Sequence, residues 1–278
     1  MSGGELKAGL LAATAALSLL AGRAAAQGSA GPTAMVADPC AGIVQQPMDA
    51  SLLPIMQPGA KLRPPPPDPA AAKAMAEQQA KDWPNLCRYR TANAAVTRPP
   101  KAVFMGDSIT EAWGVADPGF FSGGVLDRGI SGQTSPQMLL RFRADVVALK
   151  PRVVHILAGT NDIAGNTGPT SERAFEDNIE SMVELAQAHH IRVVIASILP
   201  MDVLGWRPDY RPAGEVRRLN AWLRAYAGRA GAVYLDYYSH LATPEGGFRK
   251  DLSNDGVHPN TTGYAIMRRL ASPAIGIR

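Results

Sequence analysis

Four short motifs between residues 106 and 259 carry the kinds of side chain that nucleophilic catalysis uses. A serine hydroxyl becomes a strong nucleophile when a neighbouring base takes its proton, and N–H donors then stabilise the charge on the attacked carbonyl oxygen. The motifs supply a serine, a histidine with a nearby aspartate, and candidate donors. In chain order they read GDSIT (106–110), GISGQT (129–134), GTND (159–162) and DGVHP (255–259).

The candidate catalytic groups are Ser108, His258 and Asp255. A carboxylate three residues before a histidine can bond the Nδ1–H of the ring, which leaves Nε2 to take the proton of a serine. Ser108 follows an apolar run, where a strand end meets a helix start and a hydroxyl can be exposed. The alternatives are structural. Asp107 and Ser108 can be an N-cap pair, and His258 can be a solvated residue on a surface turn.

Three candidate donors accompany these groups. The backbone N–H of Ser108 lies at a helix N-terminus, Gly132 can bring a bare backbone N–H close to a ligand, and the Asn161 side chain is a neutral N–H donor. Each is suitable for a carbonyl oxygen that is becoming negatively charged. As alternatives, Gly132 belongs to a plain turn, and Asn161 with Asp162 caps the next helix or forms an Asx turn.

Further side chains near these motifs are candidates for contact with a substrate. They are Asp107, Trp113, Trp206 and Tyr210. The aromatic rings can stack on a sugar or form a wall of an acyl pocket, and the alternative is that they only pack. No metal site is predicted: the adjacent pair His189-His190 does not share a helix face, and His155, in an apolar run, is predicted to be a core histidine.

The elements that must position these residues follow from the pattern of apolar residues. Apolar runs typical of buried strands occupy 102–105, 125–130, 153–159, 192–199 and 232–236. Helical patterns occupy 136–149, 171–189, 214–229 and 262–270. Continuous apolar strands that alternate with amphipathic helices predict a parallel sheet covered on both faces, a three-layer α/β/α sandwich. The first three motifs then lie at the carboxyl ends of strands, where such sheets bind ligands.

In these four motifs and their order, the chain resembles the GDSL/SGNH hydrolases from about residue 100 to the end. The resemblance implies a flavodoxin-like five-stranded parallel sheet with strand order 2-1-3-4-5. It implies that Ser108 is the nucleophile, that His258 is the general base and then acid, and that Asp255 orients His258. The oxyanion hole would comprise the N–H groups of Ser108 and Gly132 and the side chain of Asn161. This mechanism needs neither a metal nor a cofactor.

The resemblance is closest to the acetylesterase and acetylhydrolase branch, in which GDSIT is soon followed by an aromatic residue. We therefore expect hydrolysis of short acyl esters, foremost O-acetyl groups on a carbohydrate, with a small-molecule or glycan ester as substrate. Three alternatives remain: acyl transfer by the same triad, lysophospholipase-like hydrolysis of a lipid, and a non-catalytic carbohydrate-binding module. Asp127, where relatives often have Asn, lies outside the catalytic set.

Residues 1–26 are predicted to be a secretory signal peptide. Lys7 precedes the apolar run 8–21, and Ala24-Ala25-Ala26 forms an A-x-A cleavage site with the cut after Ala26. The run is too short to span a bilayer comfortably, so stable membrane insertion is not expected; a buried N-terminal helix is the alternative. The mature protein is expected to be secreted or periplasmic. Its net charge of +4 is scattered without a basic run, which argues against a nucleic-acid partner.

Residues 27–100 are predicted to be a Pro-rich N-terminal extension, and residues 101–278 the catalytic domain. The extension has a helical part over 69–95 that Pro84 should interrupt, and it either packs on the catalytic domain as an arm or is a flexible stalk. Its two cysteines, Cys40 and Cys87, can form a disulfide in an oxidising compartment; the alternative is two buried thiols.

Overall fold

The computed structural model of the protein describes residues 37–43, 45, 47–61, 69–205 and 207–277. The chain divides into two compact units, Met1–Pro39 and Cys40–Arg278. The predicted signal peptide and Trp206 lie outside the described residues. Among the residues that are described, none of the helices has the length and apolar character needed to cross a membrane.

The second unit contains a five-stranded sheet with helices before, between and after its strands. The strands are β1 (Ala102–Gly106), β2 (Val125–Gly129), β3 (Val153–Leu157), β4 (Arg192–Ala196) and β5 (Val233–Leu235). The helices are α1 (Pro69–Lys81), α2 (Arg90–Ala94), α3 (Ser108–Ala116), α4 (Ser135–Asp145), α5 (Thr160–Ala164), α6 (Glu172–Ala188), α7 (Ala213–Ala230), α8 (Tyr238–Leu241) and α9 (Thr261–Ala274). Two 3-10 helices add Ala50–Met56 and Val147–Leu149.

The sheet is parallel throughout and has the order β2-β1-β3-β4-β5. The predicted order 2-1-3-4-5 and the α/β/α class are therefore confirmed. In the register of the central strands, Gly106 pairs with Gly129 on one side and with Leu157 on the other. Since β1, β2 and β3 end level with one another, the loops that follow them leave the sheet from the same edge.

Alternate residues of each central strand enter two separate hydrophobic cores. In β1, Val103 and Met105 lie in the core beneath α4, α6 and α7, whereas Ala102 and Phe104 lie in the core beneath α3 and α9. The alternation arises because successive side chains of a strand point to opposite faces. A strand covered on both faces must be apolar along its whole length, which is why these strands were visible in the sequence.

His155 in β3 is a core residue, as predicted. Its ring is fully buried, stacks on Phe104 with centroids 4.3 Å apart, and has Nε2 2.9 Å from the hydroxyl of Tyr237. Burial lowers the pKa of His155 to about 3, so the ring is neutral at ordinary pH.

Two parts of the N-terminal extension, residues 50–56 and 82–89, lie against this sheet domain. The 3-10 helix Ala50–Met56 packs on α3, and Met56 is buried in the same core as Trp113. Cys40 and Cys87 form a disulfide with Cα atoms 5.5 Å apart. Helix α1 ends at Lys81, three residues before Pro84. The predicted helical part over 69–95 is therefore interrupted near this proline, which has no N–H to donate to a helical carbonyl.

Candidate active site

Three loops at one edge of the sheet carry the first three motifs. Ser108 is the first residue of α3 and lies two positions after the end of β1. Gly132 follows β2 by three positions, and Asn161 follows β3 by four. The level ends of these strands place all three loops at the edge where parallel sheets bind ligands.

The structure brings Ser108, His258 and Asp255 into one hydrogen-bonded chain. Ser108 Oγ lies 2.9 Å from His258 Nε2, although the two residues are 150 positions apart. His258 Nδ1 lies 2.7 Å from Asp255 Oδ2. The other oxygen, Asp255 Oδ1, accepts hydrogen bonds from the backbone N–H groups of Val257 and His258 at 2.8 and 2.7 Å. The aspartate therefore fixes both the ring and the loop that carries it.

These contacts shift the pKa values of both partners. Burial raises the pKa of Asp255, but the hydrogen bonds and charge of His258 lower it by more, so its pKa lies well below the ordinary value. For His258, burial lowers the pKa, whereas the hydrogen bond and charge of Asp255 raise it by more, so the net effect is a pKa raised from its ordinary value. Both side chains remain about a third exposed, 32% for His258 and 31% for Asp255, so solvent can reach the pair.

The loop that carries His258 is anchored to α9 and through it to α3. The side chain of Asn260 caps α9 by accepting from Thr262 N and Gly263 N, and its Nδ2 donates to Asp251 O at 3.0 Å. Further along α9, the hydroxyl of Tyr264 donates to Ile109 O at 2.8 Å. This last bond ties α9 directly to the first turn of α3, the turn that begins with Ser108.

Asp107 is a supporting residue and not a substrate contact as predicted. It is fully buried, and as the N-cap of α3 it accepts from Ile109 N at 2.9 Å. Its other oxygen accepts from Asn161 Nδ2 at 3.2 Å. Burial raises the pKa of Asp107 to about 6, opposed by the hydrogen bond from Ile109 and the charge of His258. The N-cap alternative thus describes Asp107 correctly.

The two remaining candidate donors differ in their surroundings. Gly132 is exposed and has φ of +76°, a left-handed conformation that favours glycine, and its N–H has no acceptor among the described residues. Asn161 is buried, and both hydrogens of its amide have protein acceptors: Gln133 O at 3.0 Å and Asp107 Oδ2 at 3.2 Å. Its Oδ1 accepts from Asn166 Nδ2 at 2.7 Å, which fixes the orientation of the amide.

The predicted contact between Trp113 and a substrate is wrong. Trp113 is wholly buried and stacks on Phe120 and Tyr264, with ring centroids 5.1 and 5.7 Å away. It lies five residues after Ser108 in the same helix, about 140° around the axis, so the two side chains leave the helix on different sides. The ring therefore faces the core while the hydroxyl faces the loops.

Tyr210 lines a cavity next to the third motif, GTND (159–162). The cavity has a volume of about 210 Å³ and is also lined by Asp162 and Ile163, which follow Asn161. The hydroxyl of Tyr210 donates to Glu215. Within the part of the chain that the structure describes, no hydrogen bond joins Tyr210 to the candidate triad.

A larger cavity lies against the loop that carries Asp255. Its volume is about 660 Å³, and it is open to solvent. Its lining includes the charged residues Asp202, Glu245, Lys250 and Asp255 together with the apolar side chains of Val203 and Phe248. The charged groups can bond the hydroxyls of a polar molecule, and the apolar side chains can contact its carbon skeleton. Of the candidate triad, Asp255 lines this cavity, whereas Ser108 and His258 do not.

Glu111 is a buried carboxylate that the motif analysis missed. It lies three residues after Ser108 in α3, and its Oε2 accepts from Ser131 N at 2.9 Å and from Ser131 Oγ at 2.6 Å. It also pairs with Arg88 of the extension. The available signal was an acidic residue in an otherwise apolar helix start, SITEAW (108–113), since such residues are seldom buried without a partner.

With the fold and these contacts in place, comparison with known proteins defines the family. Residues 104–266, more than half of the chain, match the GDSL-like Lipase/Acylhydrolase family. The chain belongs to this family.

Individual relatives agree with that assignment. A GDSL-like lipase from Bacteroides thetaiotaomicron has a solved structure that is 43% identical, with a TM-score of 0.68 over 70% of this chain and 98% of that one. Esterase TesA of Pseudomonas aeruginosa is 29% identical over 56% of this chain and 77% of its own length. Lipoprotein YqeF of Bacillus subtilis is 34% identical over 46% of this chain, and the match spans 60% of YqeF, less than two thirds of that relative.

Proposed function

We propose that this protein is a serine esterase in which Ser108 is the nucleophile, His258 the general base and Asp255 the group that orients the base. The observation that carries the proposal is the continuous chain of hydrogen bonds, Ser108 Oγ to His258 Nε2 at 2.9 Å and His258 Nδ1 to Asp255 at 2.7 Å. The bond to Asp255 keeps the proton on Nδ1, so Nε2 presents its lone pair to the serine.

In the acylation step, Ser108 Oγ attacks the ester carbonyl carbon while its proton moves to His258 Nε2. The tetrahedral intermediate then collapses, the bond to the leaving oxygen breaks, and His258 gives that oxygen its proton, which releases the alcohol. In deacylation, water takes the place of the alcohol: His258 removes its proton, the hydroxyl attacks the acyl-serine, and the proton returns to Ser108 as the carboxylic acid leaves.

Three N–H groups stabilise the oxyanion in this proposal. The N–H groups of Ser108 and Gly132 are available, Ser108 because the first N–H groups of a helix have no partner within it. The amide of Asn161 must exchange one acceptor for the oxyanion, and the 3.2 Å contact with Asp107 is the longer of its two bonds. We therefore expect the hydrogen that points at Asp107 to move to the oxyanion.

The substrate class that we propose is a short acyl ester of a polar alcohol, with an O-acetylated carbohydrate as the foremost candidate. The cavity of about 660 Å³ beside Asp255 supports this proposal, because its carboxylates, Lys250 and exposed glycine backbone can bond the hydroxyls of a sugar. An exported enzyme would also encounter polysaccharide; the predicted signal peptide and the secreted or periplasmic location remain part of the proposal.

A panel of esters tests this function. p-Nitrophenyl esters of increasing chain length and acetylated xylo-oligosaccharides are incubated with wild type, Ser108→Ala and the control Ser181→Ala, which alters a partly exposed serine on α6. We expect acetate release by wild type and control, and a kcat lower by about 10⁶-fold in Ser108→Ala. Near-wild-type activity of Ser108→Ala would refute the assignment, and a strong preference for long chains would refute the substrate class. Acetate transfer to an added sugar would indicate an acyltransferase.

A further inference from the structure

A carboxylate in α3 connects the N-terminal extension to the loop that carries Gly132. Glu111 Oε1 lies 2.8 Å from Arg88 Nη2 and accepts from Met48 N at 3.3 Å, both in the extension. Glu111 Oε2 accepts both hydrogen bonds from Ser131, the residue immediately before Gly132. The ion pair is largely buried, with 13% of the Arg88 side chain and 8% of the Glu111 side chain exposed.

The extension holds the same loop at two further points, one on each side of Gly132. The hydroxyl of Tyr89 donates to Gly129 O. Gln133 Nε2 donates to Pro84 O at 2.8 Å. On the side of Gly132 where a Cβ would lie there is open space, with no heavy atom within 4 Å, and its N–H has no acceptor among the described residues. The direction of its N–H therefore depends on how its neighbours are held.

Hydrogen bonds and a disulfide within and next to the segment 82–89 of the extension hold Arg88 and Tyr89 in place. Both oxygens of Asp82 accept backbone hydrogen bonds, from Leu86 N at 2.8 Å and from Cys87 N at 2.9 Å. The disulfide to Cys40 sits immediately before Arg88. The guanidinium of Arg88 also lies over the ring of Tyr89, 4.9 Å from its centroid, so the two side chains support each other.

We propose that Arg88 is a positioning residue for the oxyanion hole, which acts through Glu111 and Ser131 on the backbone N–H of Gly132. The proposal rests on the esterase function above. An N–H that meets the oxyanion only in the transition state affects kcat and leaves KM unchanged. Misplacing it by a fraction of an ångström weakens that bond without removing the catalytic triad.

The test compares Arg88→Met, Arg88→Lys and the control Arg98→Met, which alters an exposed arginine of the same extension. For each variant, kcat and KM are measured with p-nitrophenyl acetate, and active enzyme is counted by titration with a fluorophosphonate. Inhibition constants are measured with a short alkylboronic acid, which forms a tetrahedral adduct with a catalytic serine. Tyr89→Phe, which removes only the hydroxyl that bonds Gly129, is a milder variant should Arg88→Met fold poorly.

We expect Arg88→Met to lower kcat per active site by about 10-fold to 100-fold with KM unchanged, and to weaken the boronate by the same factor. Arg88→Lys, which keeps the charge, should lie closer to wild type, Tyr89→Phe should show a smaller parallel loss, and Arg98→Met should match wild type. An unchanged kcat per active site in Arg88→Met and Tyr89→Phe would overturn the proposal, as would a loss of kcat with full boronate affinity. Wild type that fails to react with the fluorophosphonate would instead refute the esterase function itself.

Discussion

His258 receives opposing influences from its surroundings, and their balance determines the pH at which it can act as a base. Burial lowers its pKa, and the hydrogen bond and charge of Asp255, with a contribution from buried Asp107, raise it by more. A general base must be neutral before it can take a proton, so we expect the raised pKa to place the acidic limit of activity at a higher pH than an unperturbed histidine would give. The same attraction stabilises the imidazolium that forms during attack.

The variant Asp255→Asn tests this balance. The asparagine can still accept from the backbone through Oδ1, but its amide presents a donor to Nδ1 and favours the wrong tautomer of the ring. We expect kcat at pH 8 to fall by about 10⁴-fold. In this variant, burial still lowers the pKa of His258, but the carboxylate of Asp255 no longer raises it. The acidic limb of the kcat/KM profile should therefore move to lower pH. A limb that stays in place or moves to higher pH in the measured pH profile would contradict the account.

For single residues, the sequence identified the candidate catalytic side chains but did not show which side chains are buried. Ser108 and His258 could be paired in advance because each lies in a short motif whose chemistry is recognisable. The side chains of Asp107 and Trp113 could not be placed, because neighbours on a helix point to different sides and only packing decides which side is buried. Glu111 was missed because its partners, Arg88 and Ser131, are distant in the chain.

At the scale of elements, the apolar strands were the most predictable feature. The central strands β1 and β3 are buried along their whole length and therefore appear as continuous apolar runs, whereas the edge strands β2 and β5 are only partly buried. Strand ends were less predictable. The apolar run 192–199 predicts a strand as far as Leu199, but β4 ends at Ala196. Beyond it, the backbone N–H and carbonyl of Ile198 bond the side chain of Asn220 instead of a neighbouring strand.

The short helices were predicted least well. Helices α5 and α8 have only five and four residues, too few for a periodic pattern to emerge. Outside its helical part, the extension gave no periodic pattern for a different reason, because its prolines lack the backbone donors that regular structure needs. Its place against α3 and β2 follows from individual side chains such as Arg88 and Tyr89.

The disulfide of the extension supports a prediction about stability. Cys40 and Cys87 are 47 residues apart, and in the chain-entropy model a cross-link that closes such a loop stabilises the folded state by about 4 kcal/mol. We expect the double variant Cys40→Ser/Cys87→Ser to unfold at a markedly lower temperature and denaturant concentration. Reductant should destabilise wild type by a similar amount and leave the double variant unchanged. Equal stability of wild type and variant in a denaturant titration would contradict this expectation.

At the scale of the whole molecule, the candidate site is assembled from distant parts of the chain at one edge of the sheet. Ser108 and His258 are 150 residues apart, and the hydrogen bond between Tyr264 and Ile109 holds α9, which follows His258, against α3. The extension reaches the same edge at both ends of the site: Arg88 bonds Glu111, and Asn254, next to Asp255, donates to Ile55 O and Gln57 O at 2.9 and 2.8 Å. The topology of a parallel sheet predicted the meeting point, but not the role of the extension.

Covalent labelling tests whether Ser108 is a nucleophile activated by His258. Wild type, Ser108→Ala and His258→Ala are treated with an alkyl fluorophosphonate, and the adduct is located by peptide mass spectrometry. We expect one adduct per wild-type molecule, on Ser108, no adduct in Ser108→Ala, and labelling in His258→Ala that is slower by orders of magnitude. An unmodified Ser108 in folded wild type, or equally fast labelling without His258, would refute this role of Ser108.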